Sequence, residues 1–411
     1  MASQHATAQP FGEGIPYGDP YWYQGMPSPY YKETHFRFRA LVRGFVEKEI
    51  MPFAEEWGKT RYPPELHEKA YQAGIAGAIF PAEHGGTPPE DFDAFHELIL
   101  WDELARCGES GVLGQLSINS MAIPPIMHHG SKYLKDKVLR DVIIGKKFCA
   151  LAISEPTAGS DVANIQCSAK REGDFYIVSG QKKWITGGLM ADFFTVACRT
   201  GGPGMGGISL LLLEKDMPGI SVRKMETQAS GAHHTSFVTL DDVKVPAENL
   251  IGEENAGFLY IVTNFNHERF VIATGASRYA RMCLEESIRH AKTRRTFGKR
   301  LVEHQIIRHK IAEMARQVET THDMLERVAF AFSNKVKDRE MGGMAALLKV
   351  QASMTFEFCA REASQIFGGS SIVKEGKGRI VERLYREVRA TAIPGGSEEI
   401  LRDLAVRQAK L

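Results

Sequence analysis

Residues 148–161 read FCALAISEPTAGSD, a short apolar run that passes into a segment of small and polar residues. An apolar run of this length followed by turn-forming residues predicts a buried β-strand and a loop. Similar runs recur at residues 175–178, 193–198, 208–213 and 236–240, separated by Gly, Pro and Asp. We therefore expect residues 147–254 to form a compact β domain of the barrel or sandwich type.

The chain on both sides of this block is patterned for helices. Phe38, Leu41, Val42 and Phe45 have the i, i+3, i+4, i+7 spacing of one helical face. Residues 255–293 contain no proline, which predicts one unusually long helix or two stacked ones. The order α, β, α predicts an α+β multi-domain protein. Its expected parts are an N-terminal arm at 1–31, a helical domain at 32–146, the β domain, and a C-terminal helical domain at 255–411.

The arm at residues 1–31 is rich in proline and aromatic residues and has no Lys or Arg before Lys32. A mitochondrial presequence would be Arg-rich and amphipathic, and a signal peptide would carry an apolar core. We expect an irregular segment packed on its own or a neighbouring subunit, with a disordered tail as the alternative. The sequence ends in Ala-Lys-Leu, a close variant of the peroxisomal Ser-Lys-Leu address. This ending predicts a peroxisomal location, with the cytoplasm or mitochondrion as the alternatives.

Composition excludes several classes of function. The 411 residues carry a net charge of +1, without the basic excess of a nucleic-acid-binding protein. The apolar runs are far shorter than the roughly 20 residues of a membrane-spanning helix, so none is expected. Six scattered cysteines without a Cys-x-x-Cys pair favour reduced thiols over disulfides or a zinc site. The pairs at 128–129 and 233–234 are expected to be surface or capping histidines, and no metal site is predicted.

Residues 202–207 read GPGMGG and formally match the dinucleotide-binding pattern G-x-G-x-x-G. That motif requires a helix directly after the glycines. Here the next segment has the apolar composition of a strand, so these residues are predicted to form a hairpin loop.

Glu268 is the candidate for chemistry that periodicity identifies. Phe258, Ile261, Val262 and Phe265 define the apolar stripe of the long helix, and Glu268 falls within that stripe. Burial disfavours the charged form of a carboxylate and raises its pKa, which suits a general base. The alternative is a structural ion pair with Arg269 or another arginine.

Three further signals are weak when each is taken alone. The small residues of 154–161 permit close backbone approach to a flat or phosphorylated ligand, although an ordinary turn would have the same composition. Glycine pairs at 368–369 and 395–396 flank predicted helices, where Ser397 is a plausible N-cap beside an anion site. The basic cluster at residues 292–300 suits phosphate, or is simply a solvated face.

The order of four motifs is specific. AISEPTAGSD at 152–161, KWITG at 183–187, RRTFGK at 294–299 with His304-Gln305, and QIFGG at 365–369 together resemble the acyl-CoA dehydrogenase family. The likeness extends to DVKVP at 242–246 and covers residues from about 35 to 409. The resemblance implies an N-terminal helical domain, a middle β domain, a C-terminal four-helix bundle, bound FAD, and a homotetramer built as a dimer of dimers.

The resemblance also implies roles for individual residues. Many family members place the catalytic Glu where this chain has Gly395, whereas the long-chain and isovaleryl branches place it in a Glu-Arg pair that matches Glu268-Arg269. The implied substrate contacts are Ser160, Asn266, Arg269 and Gly395. The implied FAD contacts, some to a neighbouring subunit's flavin, are Leu151, Ile153, Ser154, Gly159, Ser160, Trp184, Ile185, Thr186, Arg294, Thr296, Phe297, His304, Gln305, Gln365, Gly368, Gly369, Ser397 and Glu399.

The implied reaction is α,β-dehydrogenation of an acyl-CoA in fatty acid β-oxidation. Glu268 removes the α-proton, hydride passes to flavin N5, and a trans-2-enoyl-CoA results. In the family, the backbone N–H of the base helps to stabilise the enolate-like oxygen. Asn164 stands where the first signature usually has a small residue, and Ser371 replaces a usual glycine after Gly368-Gly369. Residues 229–234 lack the Gly-x-Arg pattern of relatives, so the acyl chain and its carrier stay open.

The electron acceptor is not decided by the sequence. It is expected to be electron-transferring flavoprotein, or O2 in a peroxisomal acyl-CoA oxidase-type variant. A nitroalkane-oxidising enzyme on this scaffold would favour Asp as its base, so Glu268 argues against that reaction. The remaining alternative is a non-catalytic scaffold member of the family.

Overall fold

The computed structural model describes residues 10–410. Residues 1–9 of the expected arm and Leu411, the last residue of the expected peroxisomal address, lie outside the described residues. Two compact units can be distinguished. The first unit comprises the chain up to Val46, Asp91–Glu109 and the chain from Arg269. The second unit comprises Glu47–Glu90 and Ser110–Glu268.

The described helices follow the expected order, with one helical block before the β block and one after it. They are α1 Glu33–Phe45, α2 Ala54–Lys59, α3 Glu65–Gln72, α4 Ala94–Ala105, α5 Ser110–Ser117, α6 Asn119–Ala122, α7 Pro124–His129, α8 Lys132–Ile143, α9 Gly257–Thr293, α10 Gln305–Ser333, α11 Asp338–Phe367, α12 Arg379–Ala392 and α13 Glu398–Gln408. The proline-free stretch is one 37-residue helix, α9. Among residues 10–410, no helix has both the length and the apolar character that crossing a bilayer requires.

The middle block is a mixed sheet within the second unit. Its strands are β1 Cys149–Ala152, β2 Ser168–Glu172, β3 Phe175–Ile185, β4 Phe193–Arg199, β5 Ile208–Glu214, β6 Ile220–Lys224, β7 Ser236–Pro246 and β8 Leu250–Ile251, and a two-stranded ribbon, β9 Arg295–Thr296 with β10 Lys299–Arg300, follows α9. The strands are hydrogen-bonded in the order β6-β7-β3-β2-β4-β5-β8, and β1 pairs in parallel with β4.

Strands β4 and β5 are buried on both faces, which explains their continuous apolar runs. Along β4, Phe193 and Ala197 join a core shared with α7 and α8, whereas Phe194, Val196 and Cys198 join a core formed among the strands. The glycine-rich residues 202–207 connect β4 to β5 in an antiparallel pair, so the predicted hairpin is confirmed.

The sequence did not predict β2 and β6, because neither has an apolar run. In β2 only Ala169 is buried, and in β6 no residue is buried. Both strands depend on their neighbours, since β2 pairs with β3 and β6 pairs with β7 along the edge of the sheet. Leu41 was assigned to the buried face of α1 and is 46% exposed, because it lies at the margin of the stripe that Phe38, Val42 and Phe45 define.

The first unit packs the C-terminal helices together with α1 and α4. Helix α11 contacts α10, α12 and α13, and α4 packs against both α1 and α10. The arm at residues 10–31 is irregular apart from a short 3₁₀ turn, Tyr21–Gln24. Tyr23 and Asp19 of this arm are buried within the first unit. The Arg39 guanidinium lies 3.8 Å from the centroid of the Phe11 ring and 4.5 Å from that of Tyr23.

Candidate active site

The loop after β1 is fixed by a buried ion pair. Lys182 Nζ lies 2.8 Å from Glu155 Oε1 and also donates a hydrogen bond to the carbonyl of Ile153 at 2.9 Å. The Glu155 carboxylate accepts two further hydrogen bonds, from the backbone N–H groups of Gln166 and Cys167. Because a buried charge is tolerated only when it is paired and hydrogen-bonded, this network holds the loop in one conformation.

The same loop is joined to the end of β3, where the predicted KWITG motif lies. The Lys183 N–H donates to the Ser154 carbonyl at 2.9 Å. The next residue, Trp184, has a left-handed backbone with φ of 61° and leaves its indole 49% exposed. An exposed tryptophan in a strained conformation indicates a position selected for something other than packing. Lys183 Nζ lies 4.5 Å from the centroid of this ring.

The predicted cofactor residues of the second unit differ in accessibility. Ile153 and Ile185 are buried, Leu151, Ser154 and Thr186 are partly buried, and Gly159 and Ser160 are exposed. The exposed and partly buried members therefore offer hydroxyl groups and backbone that a ligand can reach.

The histidine pair at 233–234 corrects the expectation of surface or capping residues. His233 Nε2 is 2.6 Å from Ser110 Oγ, and the His233 carbonyl accepts from Gln115 Nε2 and from the Gly187 N–H. Desolvation, together with the nearby His234, lowers the pKa of His233 to about 4. His234 Nε2 accepts from the Tyr62 N–H at 3.1 Å. The two rings tether residues 229–234 to α5 and to the chain before α3.

This tether requires a glycine on α5. A Cβ at Gly111 would lie 2.5 Å from Ser230 Oγ and 2.6 Å from the His233 backbone nitrogen. The absence of a side chain at 111 lets the loop lie directly on the helix.

Glu268 lies within α9 and is buried, with 7% of its surface exposed, as the apolar stripe predicts. Its Oε1 accepts a hydrogen bond of 2.9 Å from Asn264 Nδ2, one helical turn earlier. Asn266 is also buried. Since Glu268 is in the interior of an α-helix, its N–H donates to the carbonyl four residues before it. The expectation that the backbone N–H of the base stabilises the thioester oxygen therefore does not hold for this chain.

Gly395 lies in the turn between α12 and α13, within the first unit. Arg269 Nε donates to the Gly395 carbonyl at 3.1 Å. Gly395 has φ of 71°, and a Cβ there would lie 2.9 Å from Ile272 Cδ1. Any larger residue at 395 would have to displace that methyl group and adopt a left-handed backbone.

A buried lysine holds the same turn from the other side. Lys349 Nζ, on α11, donates to the carbonyls of Ala392 and Gly396, the latter at 2.9 Å. Burial lowers the pKa of Lys349 to about 8, against the opposing charge of Glu398. Lys349 was not singled out from the sequence, because a lysine on a long helix is ordinarily solvated.

The basic segment after α9 forms a two-residue hairpin. Thr296 pairs with Lys299, so the turn consists of Phe297 and Gly298, with φ of 50° and 80°. Positive φ at both positions is the geometry of a type I′ turn. Phe297 is 96% exposed at its tip, and His304 lies 3.1 Å from Thr296 Oγ1 at the start of α10.

The other predicted residues of the first unit lie at helix ends. Gln365, Gly368 and Gly369 are exposed where α11 ends, and Gly368 has φ of 59°. Ser397 caps α13 by accepting from the Ile400 N–H, as its position predicts. Glu399 is exposed, and its own backbone N–H and the Ser397 hydroxyl lower its pKa. Arg294 and Gln305 are likewise exposed.

Sequence reasoning named the loop, Trp184 and Glu268, and missed the groups that hold them in place. Lys182 and Asn264 were not singled out, and Glu155 was quoted only as part of a motif. The one available signal was the i, i+4 spacing of Asn264 and Glu268, which places both side chains on one helical face.

Another titratable cluster, away from these motifs, is His35, Asp93 and His96 in the first unit. Asp93 caps α4 by accepting from the N–H groups of Phe95 and His96. His35 Nδ1 accepts from the Lys32 N–H, so its Nε2 carries the proton and donates to Asp93 at 2.9 Å. Burial works against the Asp93 carboxylate, but these hydrogen bonds outweigh it and lower its pKa. The cluster is therefore accounted for as a shared helix cap.

Comparison with known proteins assigns the fold and the motifs to one class. Three family profiles match the chain: the N-terminal domain of acyl-CoA dehydrogenases at residues 32–146, the middle domain at 150–243 and the C-terminal domain at 255–410. The protein belongs to the acyl-CoA dehydrogenase family, a family of oxidoreductases.

Individual relatives support this assignment over nearly the whole chain. An acyl-CoA dehydrogenase of Alternaria alternata, AFT10-1, is 42% identical and covers 97% of this chain and 96% of its own length. The structure of an acyl-CoA dehydrogenase from Geobacillus kaustophilus is 33% identical, with a TM-score of 0.88 over 94% of this chain and all of its own. A glutaryl-CoA dehydrogenase from Mycobacterium smegmatis, solved with FADH2, is 25% identical, with a TM-score of 0.83 over 92% of this chain and 95% of its own.

Proposed function

We propose that the protein oxidises an acyl-CoA to the trans-2-enoyl-CoA, with Glu268 as the base that removes the α-proton. The observation that supports this proposal is that Glu268 is a buried carboxylate on α9, directly before Arg269. At the other position where family members place the base, this chain has Gly395. A carboxylate shielded from water is a stronger base than a solvated one.

FAD is the cofactor in this proposal. The residues present fit a flavin, because Trp184 offers an exposed aromatic face and the preceding Lys183 N–H is hydrogen-bonded to the loop that carries Ser154 and Ser160. A Cβ built at Gly159 would meet nothing within 4 Å, so the loop leaves open space there. When bound, FAD supplies the acceptor for the two electrons and the β-hydrogen. The FADH2 complex of the M. smegmatis relative supports this choice.

The residues of the chain then have distinct tasks. Glu268 receives the α-proton, and the burial of its side chain excludes water from that transfer. Ser160, Asn266, Arg269 and Gly395 are the proposed contacts of the acyl-CoA. Arg269 also orients the turn at residue 395 through its hydrogen bond to that carbonyl.

A second copy of the chain is part of the proposal. Arg294, Phe297, Gln365, Gly368 and Gly369 are exposed in this chain, and Phe297 is held outward by a strained turn. We propose that they contact the FAD of a neighbouring subunit in a homotetramer. Phe297→Asp should reduce both the particle mass and the FAD content, whereas Met205→Asp, at another exposed apolar residue, should change neither. Full FAD content in a Phe297→Asp monomer would overturn this assignment.

The test of the reaction is an anaerobic titration of the FAD-loaded protein with acyl-CoAs of different length and branching. Flavin absorbance should bleach with at least one of them. Glu268→Gln should remain yellow and fail to bleach, while Glu253→Gln, at an exposed residue before α9, should bleach normally. Bleaching of the Glu268→Gln variant at the wild-type rate would overturn the assignment of the base.

The electron acceptor is tested on the same reduced protein. On admission of air, rapid return of the oxidised spectrum with release of hydrogen peroxide would identify an oxidase-type variant. Stable reduced flavin that is reoxidised by electron-transferring flavoprotein would identify a dehydrogenase.

A further inference from the structure

Asn264 connects the Glu268 carboxylate to a different helix of the second unit. Its Nδ2 donates to Glu268 Oε1 at 2.9 Å and lies 3.4 Å from the Ser120 carbonyl on α6. Ser120 is itself buried, and its hydroxyl donates to the Ser117 carbonyl at 2.7 Å. The amide thus lies between the carboxylate and a backbone atom whose own position is fixed.

The chemistry of the two partners determines how the amide is turned. Both are acceptors, a carboxylate oxygen and a carbonyl oxygen, so only the NH₂ group of Asn264 can face them. The two N–H groups of one amide can serve both partners at once. The two acceptor partners therefore assign which end of the Asn264 amide is the nitrogen.

This hydrogen bond restrains the rotation of the Glu268 side chain. A glutamate has three torsions between backbone and carboxylate, and holding them in one conformation costs conformational entropy. Proton abstraction requires the accepting oxygen to lie at a defined distance and angle from the α-carbon. Asn264 is a neutral donor, so it fixes the carboxylate without placing a positive charge beside the base.

We propose that Asn264 is a positioning residue for proton abstraction by Glu268. The proposal rests on the proposed function, because it assumes that Glu268 is the base. Asn264 acts through Glu268 and is not assigned any contact with substrate. The competing interpretation is that Asn264, a partly buried amide, only links α9 to α6.

The test compares Asn264→Leu, which keeps a similar volume without a donor, with Asn264→Gln, which keeps the amide. The control is Thr263→Val, at an exposed residue next to it on α9. Each FAD-loaded variant is mixed anaerobically with an acyl-CoA and with the same thioester deuterated at the α-carbon. The rate of flavin bleaching, the acyl-CoA dissociation constant and the thermal midpoint are measured for each.

We expect Asn264→Leu to slow bleaching by about 10- to 100-fold, the range in which misplacement of a reacting group falls. Its α-deuterium isotope effect should rise, because proton abstraction becomes more rate-limiting. Its acyl-CoA dissociation constant should stay within about twofold of wild type, since a positioning role leaves ground-state binding unchanged. Asn264→Gln should recover part of the rate, and Thr263→Val should match wild type.

Two results would overturn the role of Asn264. One is bleaching by Asn264→Leu at the wild-type rate. The other is a slower rate accompanied by weaker acyl-CoA binding, a lower thermal midpoint and an unchanged isotope effect, which is what a structural link alone would give. If the Leu variant does not retain FAD, Asn264→Ser, which is smaller and lacks the amide, is measured in its place against the same criteria.

Glu268→Gln, measured in parallel, separates the two proposals. Bleaching of Glu268→Gln at the wild-type rate would contradict the assignment of Glu268 as the base, whatever the Asn264 variants do. An inert Glu268→Gln with a fully active Asn264→Leu would leave the base in place and remove only the positioning role.

Discussion

Lys182 and Glu155 form a buried ion pair that joins strand β3 to the loop after β1. The lysine also binds the Ile153 carbonyl, so one ammonium group holds both ends of the turn into the loop. The Lys182–Glu155 ion pair therefore holds in place the loop whose residues are proposed to contact FAD.

Removing the lysine should leave the Glu155 carboxylate buried without its counter-charge. We expect Lys182→Met to lower the free energy of unfolding by about 3–5 kcal/mol, the cost of an unpaired buried charge. Flavin should be lost more readily, because the loop loses its anchor. Urea denaturation and FAD release measured by fluorescence check both effects.

The matched control for that variant is Lys132→Met, which breaks the exposed pair between Lys132 and Asp136. Lys132→Met should lower the free energy of unfolding by about 0–1 kcal/mol, the usual contribution of an exposed ion pair. Equal stability losses in the two variants would mean that burial does not distinguish the pairs.

Stability should fall in mild acid because of His67. Burial lowers its pKa to about 4 from an ordinary value near 6.5, so the folded protein holds the neutral ring while the unfolded chain takes up a proton. The contribution of the neutral His67 ring to the free energy of unfolding is fully present above pH 6.5 and is lost as the pH falls towards 4. His67→Gln should reduce the loss of unfolding free energy between pH 7 and pH 5 by about 2 kcal/mol.

Urea denaturation at the two pH values measures this difference. His309→Gln, at an exposed histidine, should leave the pH dependence as it is in wild type. A His67→Gln protein that still shows the full wild-type loss would contradict a neutral buried ring.

The turn beside Gly395 should depend on Lys349. Lys349→Met removes the donor to the carbonyls of Ala392 and Gly396 and leaves both without that partner. We expect a loss of about 2–3 kcal/mol in unfolding free energy and faster proteolysis between α12 and α13. Lys374→Met, at an exposed lysine, should behave as wild type in both assays. Unchanged proteolysis in Lys349→Met would show that other contacts hold the turn.

The N-terminal arm should be needed for the stability of the first unit. Arg278 donates to Asp102 at 3.0 Å and to the Gly18 carbonyl at 3.0 Å. It also pairs with Asp19 of the arm, where burial raises the pKa of that carboxyl but the charges of Arg278, Arg43 and Arg106 lower it below its usual value.

We expect Arg278→Met to lower the unfolding free energy by about 3–5 kcal/mol, because the buried Asp102 carboxylate loses its partner and Asp19 loses one of its three arginines. Thermal and urea denaturation provide the measurement. Arg316→Met, which breaks an exposed pair with Glu313, is the control and should cost less than about 1 kcal/mol. An Arg278→Met protein as stable as that control would refute the assigned role of the arm.

Local patterns were sufficient for the order of the elements and for several details. The apolar runs located β1, β4 and β5, because strands buried on both faces have continuous apolar sequence. The glycines at 202–207 indicated a hairpin, since a strand and not a helix follows them. The period of α9 placed Glu268 on its buried face, and that burial is confirmed.

What the sequence determined by itself was therefore the α, β, α order, the family motifs and the buried carboxylate, because each is encoded by neighbours along the chain. Tertiary structure alone decided the partners of the polar groups. Lys182 reaches Glu155 across 27 residues, and Ser110 reaches His233 across 123. Such pairs have no periodic signal, because a buried polar side chain is directed by whichever donor or acceptor folding brings within 3 Å or so. Asn264 and Glu268 lie on a single helix, but the second partner of Asn264, the Ser120 carbonyl, is on α6 and is set by tertiary packing.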